Sequence, residues 1–227
     1  MAITMVVFDV AGTTVASDNG AVQRTMRDAL GAAGLVLRDG AMAGVAGLAK
    51  PQAIRTLIEG HGRDELLPRA EAIHADFVAR MRGYYRESPK VAPVPGTLET
   101  FAALRAAGIG IALDTGFSRA LLDVILTRLG WSGDGAPIDA TIASDEVRRG
   151  RPHPDMIDAL RQRLGDVPAG EVAKVGDTPI DLHEGTMARC GMVVGVLSGT
   201  HSHESLVVHP HDAIIASVAA LPALLGL

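Results

Sequence analysis

The start of the chain places a short apolar stretch directly before a carboxylate and a glycine-containing turn. Residues 5–8 are all apolar, which is typical of a short buried strand, and Asp9 follows them at once. Gly12, Thr13 and Thr14 then end the stretch. Ligands of open α/β sheets bind at the carboxyl ends of the strands, so we expect this acid to face a binding site. We interpret Asp9 as a candidate nucleophile.

The later part of the chain alternates between strand and helix patterns. Such alternation is typical of parallel strands joined by right-handed crossovers. The pattern predicts an α/β fold with a Rossmann-like parallel sheet, to which the strand before Asp9 also belongs. Strands are predicted at 109–113, 141–143, 172–175 and 192–196, helices at 97–107, 118–129, 154–164 and 180–188, and a strand followed by a helix within 213–225.

A helical block separates the first strand from this alternation. Apolar residues recur at helical spacing over 20–33, 50–59 and 66–85, and Asp18 or Asn19 is a candidate cap of the first helix. No strand pattern lies between residues 15 and 90, and the proline-rich stretch 91–96 is typical of a linker. We therefore predict a core domain of residues 1–16 and 93–227 with an inserted helical domain of residues 17–92. Because the insert leaves next to Asp9, we expect it to cover the site as a lid.

The composition argues against several classes of partner. The 227 residues carry a net charge of -5 without a basic patch, so no nucleic acid partner is expected. The apolar runs are too short to cross a bilayer, so no membrane partner is expected either. Cys190 is the single cysteine, which excludes an intramolecular disulfide and is typical of a reducing compartment. Since the N-terminus has no signal-peptide pattern, we expect a cytoplasmic protein.

Several polar residues lie at the ends of the predicted strands. In a parallel sheet these ends converge on one edge. Asp9 and Asp177 can share a hard cation such as Mg²⁺, which prefers oxygen ligands. Asp181 lies one helical turn beyond Asp177 and can face the same cation. The polar residues of this edge are Asp9 with Thr13, Thr115 with Gly116, Arg151, and Asp177 with Asp181.

The remaining polar groups of this edge suit a phosphoryl group. The Thr115 hydroxyl and the Gly116 amide can hold phosphoryl oxygens, and Arg151 supplies a fixed positive charge with a planar fork of donors. Phosphoryl transfer depends mostly on positioning and on charge neutralisation. The sequence thus indicates phosphoryl transfer to the carboxylate of Asp9.

Four motifs in this order resemble those of the haloacid dehalogenase superfamily over essentially the whole chain. Residues 9–14 are similar to its nucleophile motif, 113–117 to its hydroxyl motif, 150–152 to its basic motif and 176–181 to its acidic metal motif. The resemblance implies the fold of that superfamily with an inserted α-helical cap, Mg²⁺ as cofactor and a phosphoaspartate intermediate. It also implies the site residues: Asp9 as nucleophile, Thr13, Thr115, Gly116 and Arg151 as substrate contacts, and Asp9, Ala11, Asp177 and Asp181 as the metal site.

Ala11 sets this chain apart from the phosphatases of the superfamily. Those enzymes usually carry a second acid two residues after the nucleophile, which protonates the leaving oxygen, and a methyl group cannot do so. The form of residues 9–14 resembles phosphonoacetaldehyde hydrolase, or phosphonatase, in which a cap lysine forms a Schiff base with the substrate aldehyde. Lys50 occupies the matching place in this sequence. The resemblance therefore implies cleavage of a C–P bond through an imine of Lys50.

The cap signature of phosphonatase is incomplete in this chain. That family carries Met four residues before the lysine and His three residues after it, whereas this chain has Ala46 and Ala53. The chain is therefore more similar to the phosphonatase-like hydrolases, which keep the alanine and the lysine without the whole cap signature. Lys50 has three open interpretations: an amine that forms an imine, a side chain that grips the distal end of the substrate, or a solvated lysine.

Three functions follow from these interpretations. The first is Mg²⁺-dependent C–P cleavage of phosphonoacetaldehyde or a related phosphonate. The second is a phosphatase for a small phosphate ester or acyl phosphate, similar to phosphoglycolate phosphatase, without imine chemistry. The third is a binding protein without catalysis, which the presence of Asp9, Asp177 and Asp181 disfavours. The expected partner is a small phosphonate or phosphate, and the resemblance also implies a homodimer through the cap.

Overall fold

A six-stranded parallel sheet forms the centre of the computed structural model, which describes residues 2–16 and 20–227. The strands are, in chain order, β1 Met5–Asp9, β2 Val15–Ala16, β3 Ala92–Pro93, β4 Gly110–Thr115, β5 Ala140–Ala143, β6 Val172–Gly176, β7 Met192–Val196 and β8 Ala213–Ile215. Across the sheet the order is β5-β4-β1-β6-β7-β8, and neighbouring strands run parallel. The α/β class with a parallel sheet, predicted from the alternating pattern, is confirmed.

Helices cover both faces of this sheet, because successive side chains of a strand point to opposite faces. Val6 and Phe8 of β1 join the larger hydrophobic core, whereas Met5 and Val7 join a second core on the other face. The helices are α1 Ala21–Ala32, α2 Lys50–Gly60, α3 Ala70–Glu87, α4 Thr97–Ala106, α5 Arg119–Leu129, α6 Asp155–Arg163, α7 Pro179–Met187, α8 His203–Leu206 and α9 Leu221–Leu224. Helices α4 and α5 pack on the first of these faces and α6 packs on the second.

The position of β1 between β4 and β6 determines what lies at the carboxyl edge of the sheet. Phe8 is paired with Leu113 of β4 and with Val175 of β6, so these three strands end at nearly the same level. Asp9 is paired with Asp114. The residues that follow each strand therefore meet above the same edge.

The described residues between β2 and β3 form helices α1, α2 and α3 and two 3-10 turns, Ala43–Val45 and Asp64–Arg69. The division of the chain into two domains stays a prediction. The third helix begins at Ala70 and not at residue 66, since Pro68 has no N–H to donate and lies in the 3-10 turn before it. The caps predicted at Asp18 and Asn19 lie outside the described residues.

A two-residue ladder joins the chain on either side of the helical segment. Val15 is paired with Pro93 and Ala16 with Ala92, and the two strands run antiparallel. The sequence indicated no strand at these positions, because two residues are too few to establish an alternating pattern. The other predicted helices and strands begin and end within two residues of their predicted bounds, apart from the segment after 213, where a 3-10 turn Val218–Ala220 precedes α9.

Within residues 2–16 and 20–227, no helix combines the length and the apolar character that crossing a bilayer requires.

Candidate active site

A cavity of about 390 Å³ lies over the carboxyl edge of the sheet. Asp9, Thr115 and Arg151 line it from the side of the sheet, and Lys50 lines it from the helical segment. The structure therefore brings together the predicted nucleophile and the predicted amine, which are 41 positions apart in the sequence. Apolar side chains complete the wall on the side of the helical segment: Met26, Met42, Val45, Ala46 and Ala53.

Asp9 is almost completely buried at the end of β1. Its Oδ1 accepts a hydrogen bond of 2.6 Å from Nη1 of Arg151. Burial raises the pKa of the Asp9 carboxyl to about 6, although the positive charge of Arg151 opposes this shift. The carboxylate form, which a nucleophile requires, is therefore the main form at neutral pH.

Arg151 has a carboxylate at each of its guanidinium nitrogens. Besides Asp9, Nη1 lies 2.8 Å from Oδ1 of Asp181, and Nε lies 2.9 Å from Oε2 of Glu184. Nη2 donates to the carboxylate and the main-chain oxygen of Asp114. The sequence predicted Arg151 as a direct phosphate contact. The structure surrounds its guanidinium with these acids, so its positive charge stabilises the carboxylate form of Asp9. A contact of Arg151 with phosphate stays a prediction.

Asp177 follows β6 and is fully buried without a cationic partner in the part of the chain that the structure describes. Its Oδ1 accepts a hydrogen bond of 3.1 Å from the Thr13 hydroxyl, and its Oδ2 accepts one of 2.8 Å from the Thr200 N–H. Burial and the negative charge of Asp9 raise the pKa of Asp177 to about 8. Thr13, predicted as a substrate contact, therefore uses its hydroxyl to hold this acid.

The residues around Asp177 fit a magnesium ion. The negative charge of Asp9 disfavours ionisation of Asp177, so a cation near both would stabilise the two carboxylates, and both offer the oxygen ligands that Mg²⁺ prefers. Ala11 can add only its main-chain carbonyl oxygen. Gly12 lies so close that a Cβ there would come within 2.8 Å of Asp177 Oδ2, and the backbone at Gly12 has a φ of +101°, so glycine keeps this space open.

Asp181 has contacts that differ from those expected of a metal ligand. Its Oδ2 accepts hydrogen bonds from the hydroxyl and the N–H of Thr178, at 2.6 and 3.1 Å, and its Oδ1 faces Arg151. Asp9, Asp114 and Asp181 each offer an oxygen within 4.8 Å of the others, which is close enough for a metal ion. The Arg151 guanidinium contacts all three acids, so its single positive charge offsets part of the negative charge of this cluster.

Lys50 is the first residue of α2, and only 8% of its surface is exposed. Its Nζ donates a hydrogen bond of 3.0 Å to the carbonyl oxygen of Leu48 and lies 5.2 Å from the centre of the Phe117 ring. Burial lowers the pKa of the Lys50 amine to about 8, although the negative charge of Asp9 opposes the shift. Such burial excludes the interpretation of Lys50 as a solvated lysine.

Thr115 and Gly116 lie where β4 ends, and both line the cavity. The Thr115 hydroxyl accepts a hydrogen bond of 3.2 Å from the N–H of Phe117, so its own proton is free to be donated into the cavity. The Gly116 carbonyl accepts a hydrogen bond of 3.3 Å from the main-chain N–H of Lys50.

Two polar residues of the site, Lys174 and Glu184, were not predicted from the sequence. Lys174 and Glu184 are fully buried beside Arg151, and Ser198 lines the cavity and donates a hydrogen bond of 2.8 Å to the Gly12 carbonyl. One signal was available for Lys174: a single charge inside the apolar strand 172–175 must be paired if both faces of the sheet are covered. Ser198 belongs to the stretch 198–200 after the predicted strand 192–196, from which the sequence predicts that it can edge the active site.

Comparison with known proteins agrees with this geometry. Residues 3–187 match the family model of the haloacid dehalogenase-like hydrolases. The phosphonoacetaldehyde hydrolase of Bacillus cereus strain AH187 is 31% identical over 214 residues, an alignment that covers 88% of this chain and 78% of that protein. The phosphonoacetaldehyde hydrolase of Parabacteroides distasonis is 37% identical over 109 residues, or 48% of this chain and 40% of that protein. The latter alignment spans less than half of that relative's length.

Solved structures share the fold. The crystal structure of a phosphonoacetaldehyde hydrolase-like protein from Oleispira antarctica matches with a TM-score of 0.81. The match covers 99% of this chain and 91% of that chain at 20% sequence identity. The family match and the curated relatives confirm the resemblance that the four motifs predicted. This chain belongs to the haloacid dehalogenase-like hydrolases and resembles their phosphonatase-like branch.

Proposed function

We propose that this hydrolase cleaves the C–P bond of phosphonoacetaldehyde or a related phosphonate that carries an aldehyde. One observation carries the proposal: the buried amine of Lys50 and the carboxylate of Asp9 line the same cavity, and Ala11 supplies no acid for a leaving oxygen. An amine whose pKa is lowered to about 8 by burial is partly unprotonated at neutral pH and can attack a carbonyl carbon.

Lys50 forms the first bond in the proposed reaction. Its nitrogen adds to the aldehyde carbon, and loss of one water gives the protonated imine. The imine accepts the electron pair of the C–P bond and becomes an enamine, so no alkoxide leaves and no acid is needed at position 11. This use of a cationic electron acceptor explains how the site works with an alanine there.

Asp9 receives the phosphoryl group as the C–P bond breaks. Its Oδ1 is held by Arg151, which leaves the other carboxylate oxygen to attack phosphorus. The Thr115 hydroxyl and the Gly116 region line the cavity at this point and are suited to bind phosphoryl oxygens. One water then hydrolyses the aspartyl phosphate. The enamine takes up a proton on carbon, and a second water hydrolyses the resulting imine, which releases acetaldehyde and restores Lys50.

Mg²⁺ would be held by Asp9, Asp177 and the main-chain oxygen of Ala11, where it would supply positive charge to the phosphoryl oxygens. The roles of this chain's own residues are separate. The Thr13 hydroxyl and the Thr200 N–H orient the Asp177 carboxylate. The positive charge of Arg151 offsets the negative charge of Asp9.

The experiment that tests the proposal is covalent trapping. Borohydride reduction in the presence of phosphonoacetaldehyde and Mg²⁺ should add a two-carbon group to one lysine. Reduction of the imine before C–P cleavage leaves a phosphonoethyl group, and reduction of the imine that forms when the enamine takes up a proton leaves an ethyl group. The chain has three lysines, Lys50, Lys90 and Lys174, so peptide mass spectrometry assigns the site directly. Lys50→Arg should lose trapping and phosphate release, whereas Lys90→Arg, at an exposed lysine, should keep both. Full turnover by Lys50→Arg would overturn the imine mechanism.

A second candidate function has an observation in its favour. The Lys50 Nζ donates to the Leu48 carbonyl, an arrangement that suits an ammonium gripping the distal end of an anionic substrate. The site would then be that of a phosphatase for a small phosphate ester or an acyl phosphate. Phosphate release from acetyl phosphate or 2-phosphoglycolate, with none from phosphonoacetaldehyde and no borohydride trapping, would establish this alternative.

A further inference from the structure

Lys174 and Arg151 contact the same three carboxylate oxygens. The Nζ of Lys174 lies 2.5 Å from Oδ1 of Asp114, 3.0 Å from Oε2 of Glu184 and 3.4 Å from Oδ1 of Asp181. Arg151 contacts each of these oxygens with a different nitrogen, Nη2, Nε and Nη1 in the same order.

Asp9 differs from these three acids. Arg151 contacts its Oδ1, whereas in the described part of the chain Lys174 forms ion pairs only with Asp114, Asp181 and Glu184. The bridging oxygens thus connect Lys174 to the nucleophile through the guanidinium.

We propose that Lys174 is a positioning residue that directs the Arg151 guanidinium toward Asp9. The inference rests on the proposed function only in that Asp9 is the nucleophile at phosphorus. Among residues 2–16 and 20–227, those that line the cavity include Arg151 and not Lys174, so the proposed role of Lys174 involves no contact with the substrate.

The burial of Lys174 is the first argument. None of its surface is exposed, and a buried ammonium is strongly unfavourable unless carboxylates surround it. The three oxygens satisfy this need, and in return the ammonium holds together three oxygens that would otherwise repel one another.

The shape of the guanidinium is the second argument. Its nitrogens lie in one plane, and carboxyl oxygens on three sides of that plane limit its orientation. Asp114 Oδ1 accepts a hydrogen bond from Nη2, and Asp181 Oδ1 and Glu184 Oε2 lie at ion-pair distance from Nη1 and Nε. Lys174 keeps Asp114, Asp181 and Glu184 in place around the guanidinium. In this orientation Nη1 points toward Asp9 and donates a hydrogen bond of 2.6 Å to its Oδ1. Lys174 itself belongs to β6 and is paired with Val7 of β1, so the anchor lies on the rigid centre of the sheet.

Three variants separate positioning from charge balance. Lys174→Met removes the ammonium and leaves an uncompensated buried charge, which is expected to destabilise the fold. Asp114→Asn keeps the shape of the side chain and its Oδ1 acceptor. The double variant Lys174→Met/Asp114→Asn removes one positive and one negative charge, so it keeps the net charge of the wild-type cluster and is expected to fold. Circular dichroism and thermal unfolding establish which variants fold.

Turnover of phosphonoacetaldehyde gives the first readout. We expect Asp114→Asn to lose less than about tenfold in kcat, and the double variant to lose about a further 10- to 100-fold with KM changed less than threefold, since displacing a reacting group by about 1 Å has effects of this size. Equal kcat values for the double variant and Asp114→Asn would show that Lys174 only balances charge, and would overturn the proposal.

A second readout needs no substrate. In the wild type, the two Nη groups of Arg151 should give separate NMR signals, because contacts on three sides prevent rotation of the guanidinium. Loss of these signals in Arg151→Lys assigns them. The two Nη signals of Arg151 should remain separate in Asp114→Asn and merge in the double variant. Separate Nη signals in both variants would contradict the proposal. If the wild type turns over no phosphonate, the proposed function fails while this readout still decides the role of Lys174.

Discussion

The main-chain N–H of Lys50 donates a hydrogen bond of 3.3 Å to the carbonyl oxygen of Gly116. This bond links the first turn of α2 to the loop after β4, so the amine of Lys50 is placed by backbone contact as well as by its own side chain. The space for this approach exists because residue 116 has no side chain. A Cβ there would lie 2.7 Å from the carbonyl oxygens of both Gly47 and Leu48.

Gly116→Ala should therefore displace the segment that carries Lys50. We expect borohydride trapping and phosphate release to fall by about tenfold or more, because small displacements at a reacting group have large effects on rate. Gly44→Ala is the matched control, since a Cβ at that position meets nothing within 4 Å. Equal rates of trapping for the two variants would mean that the close contact of residues 47 and 48 with Gly116 does not position the amine of Lys50.

The rate of trapping should depend on pH in a way set by Lys50. Burial lowers the pKa of this amine to about 8, and only the unprotonated amine attacks a carbonyl. Below pH 8 the initial rate should rise about tenfold for each pH unit, and above it the rate should level off. An amine with the ordinary pKa of 10.5 would instead give a rate that still rises at pH 10. Quench-flow trapping between pH 6 and pH 10 measures the difference.

Lys50→Met should stabilise the fold while it removes the imine chemistry. The pKa of the folded state is lowered, so the protonated amine costs stability below about pH 8, and this cost disappears above the unfolded pKa of 10.5. The free energy of unfolding should rise by about 1–3 kcal/mol at pH 7. At pH 10.5 the gain should be smaller. Urea unfolding at both pH values measures the change in the free energy of unfolding. A stabilisation by Lys50→Met that grows with pH would contradict burial of the charged amine as its cause.

Ala11→Asp should create phosphatase activity toward simple esters. Ala11 lines the cavity, and a carboxyl at this position can protonate a leaving oxygen, a contribution of about 10²- to 10⁴-fold. We expect hydrolysis of p-nitrophenyl phosphate to increase by at least about tenfold, which a colorimetric assay measures. Ala11→Asn is nearly the same size and has no acidic proton, so an equal increase in that variant would exclude general acid catalysis as the reason.

Mg²⁺ binding should strengthen with pH and release protons. Without a cation, burial and Asp9 raise the pKa of Asp177 to about 8, so much of this carboxyl is protonated at neutral pH and must ionise to bind a metal. Calorimetric titration should show tighter binding at pH 8.5 than at pH 6.5, with a heat that depends on the ionisation enthalpy of the buffer. Asp177→Asn should abolish both effects, and binding independent of pH would contradict the role of Asp177.

The order of elements was predictable because each depends on a local pattern. The apolar run before Asp9 and the helical spacing after Lys50 predicted β1 and α2 with nearly correct bounds. The start of α3 was predicted too early, because apolar spacing continues through Pro68 although hydrogen bonding does not. The ladder of β2 and β3 depends on pairing between residues far apart in the chain, which no local pattern contains.

The candidate site was predictable in its members and less so in their contacts. Motifs identified Asp9, Lys50 and Arg151, and the structure places all three around one cavity. The contacts of Arg151 were not predictable, because they depend on the exact meeting of strand ends with α7. Lys174 and Glu184 were missed for the same reason. The site assignments themselves, the cytoplasmic location and a dimer through the helical segment stay predictions.

The pairing of Val15 with Pro93 and of Ala16 with Ala92 places both chain crossings of the helical segment side by side. An insertion whose two ends are adjacent can be exchanged for another of different length without altering the distances within its host. The helical segment can therefore be replaced as one unit while the acids and cations at the sheet edge keep their spacing. Such a replacement must still supply the amine of Lys50, because Ala11 provides no acid of its own.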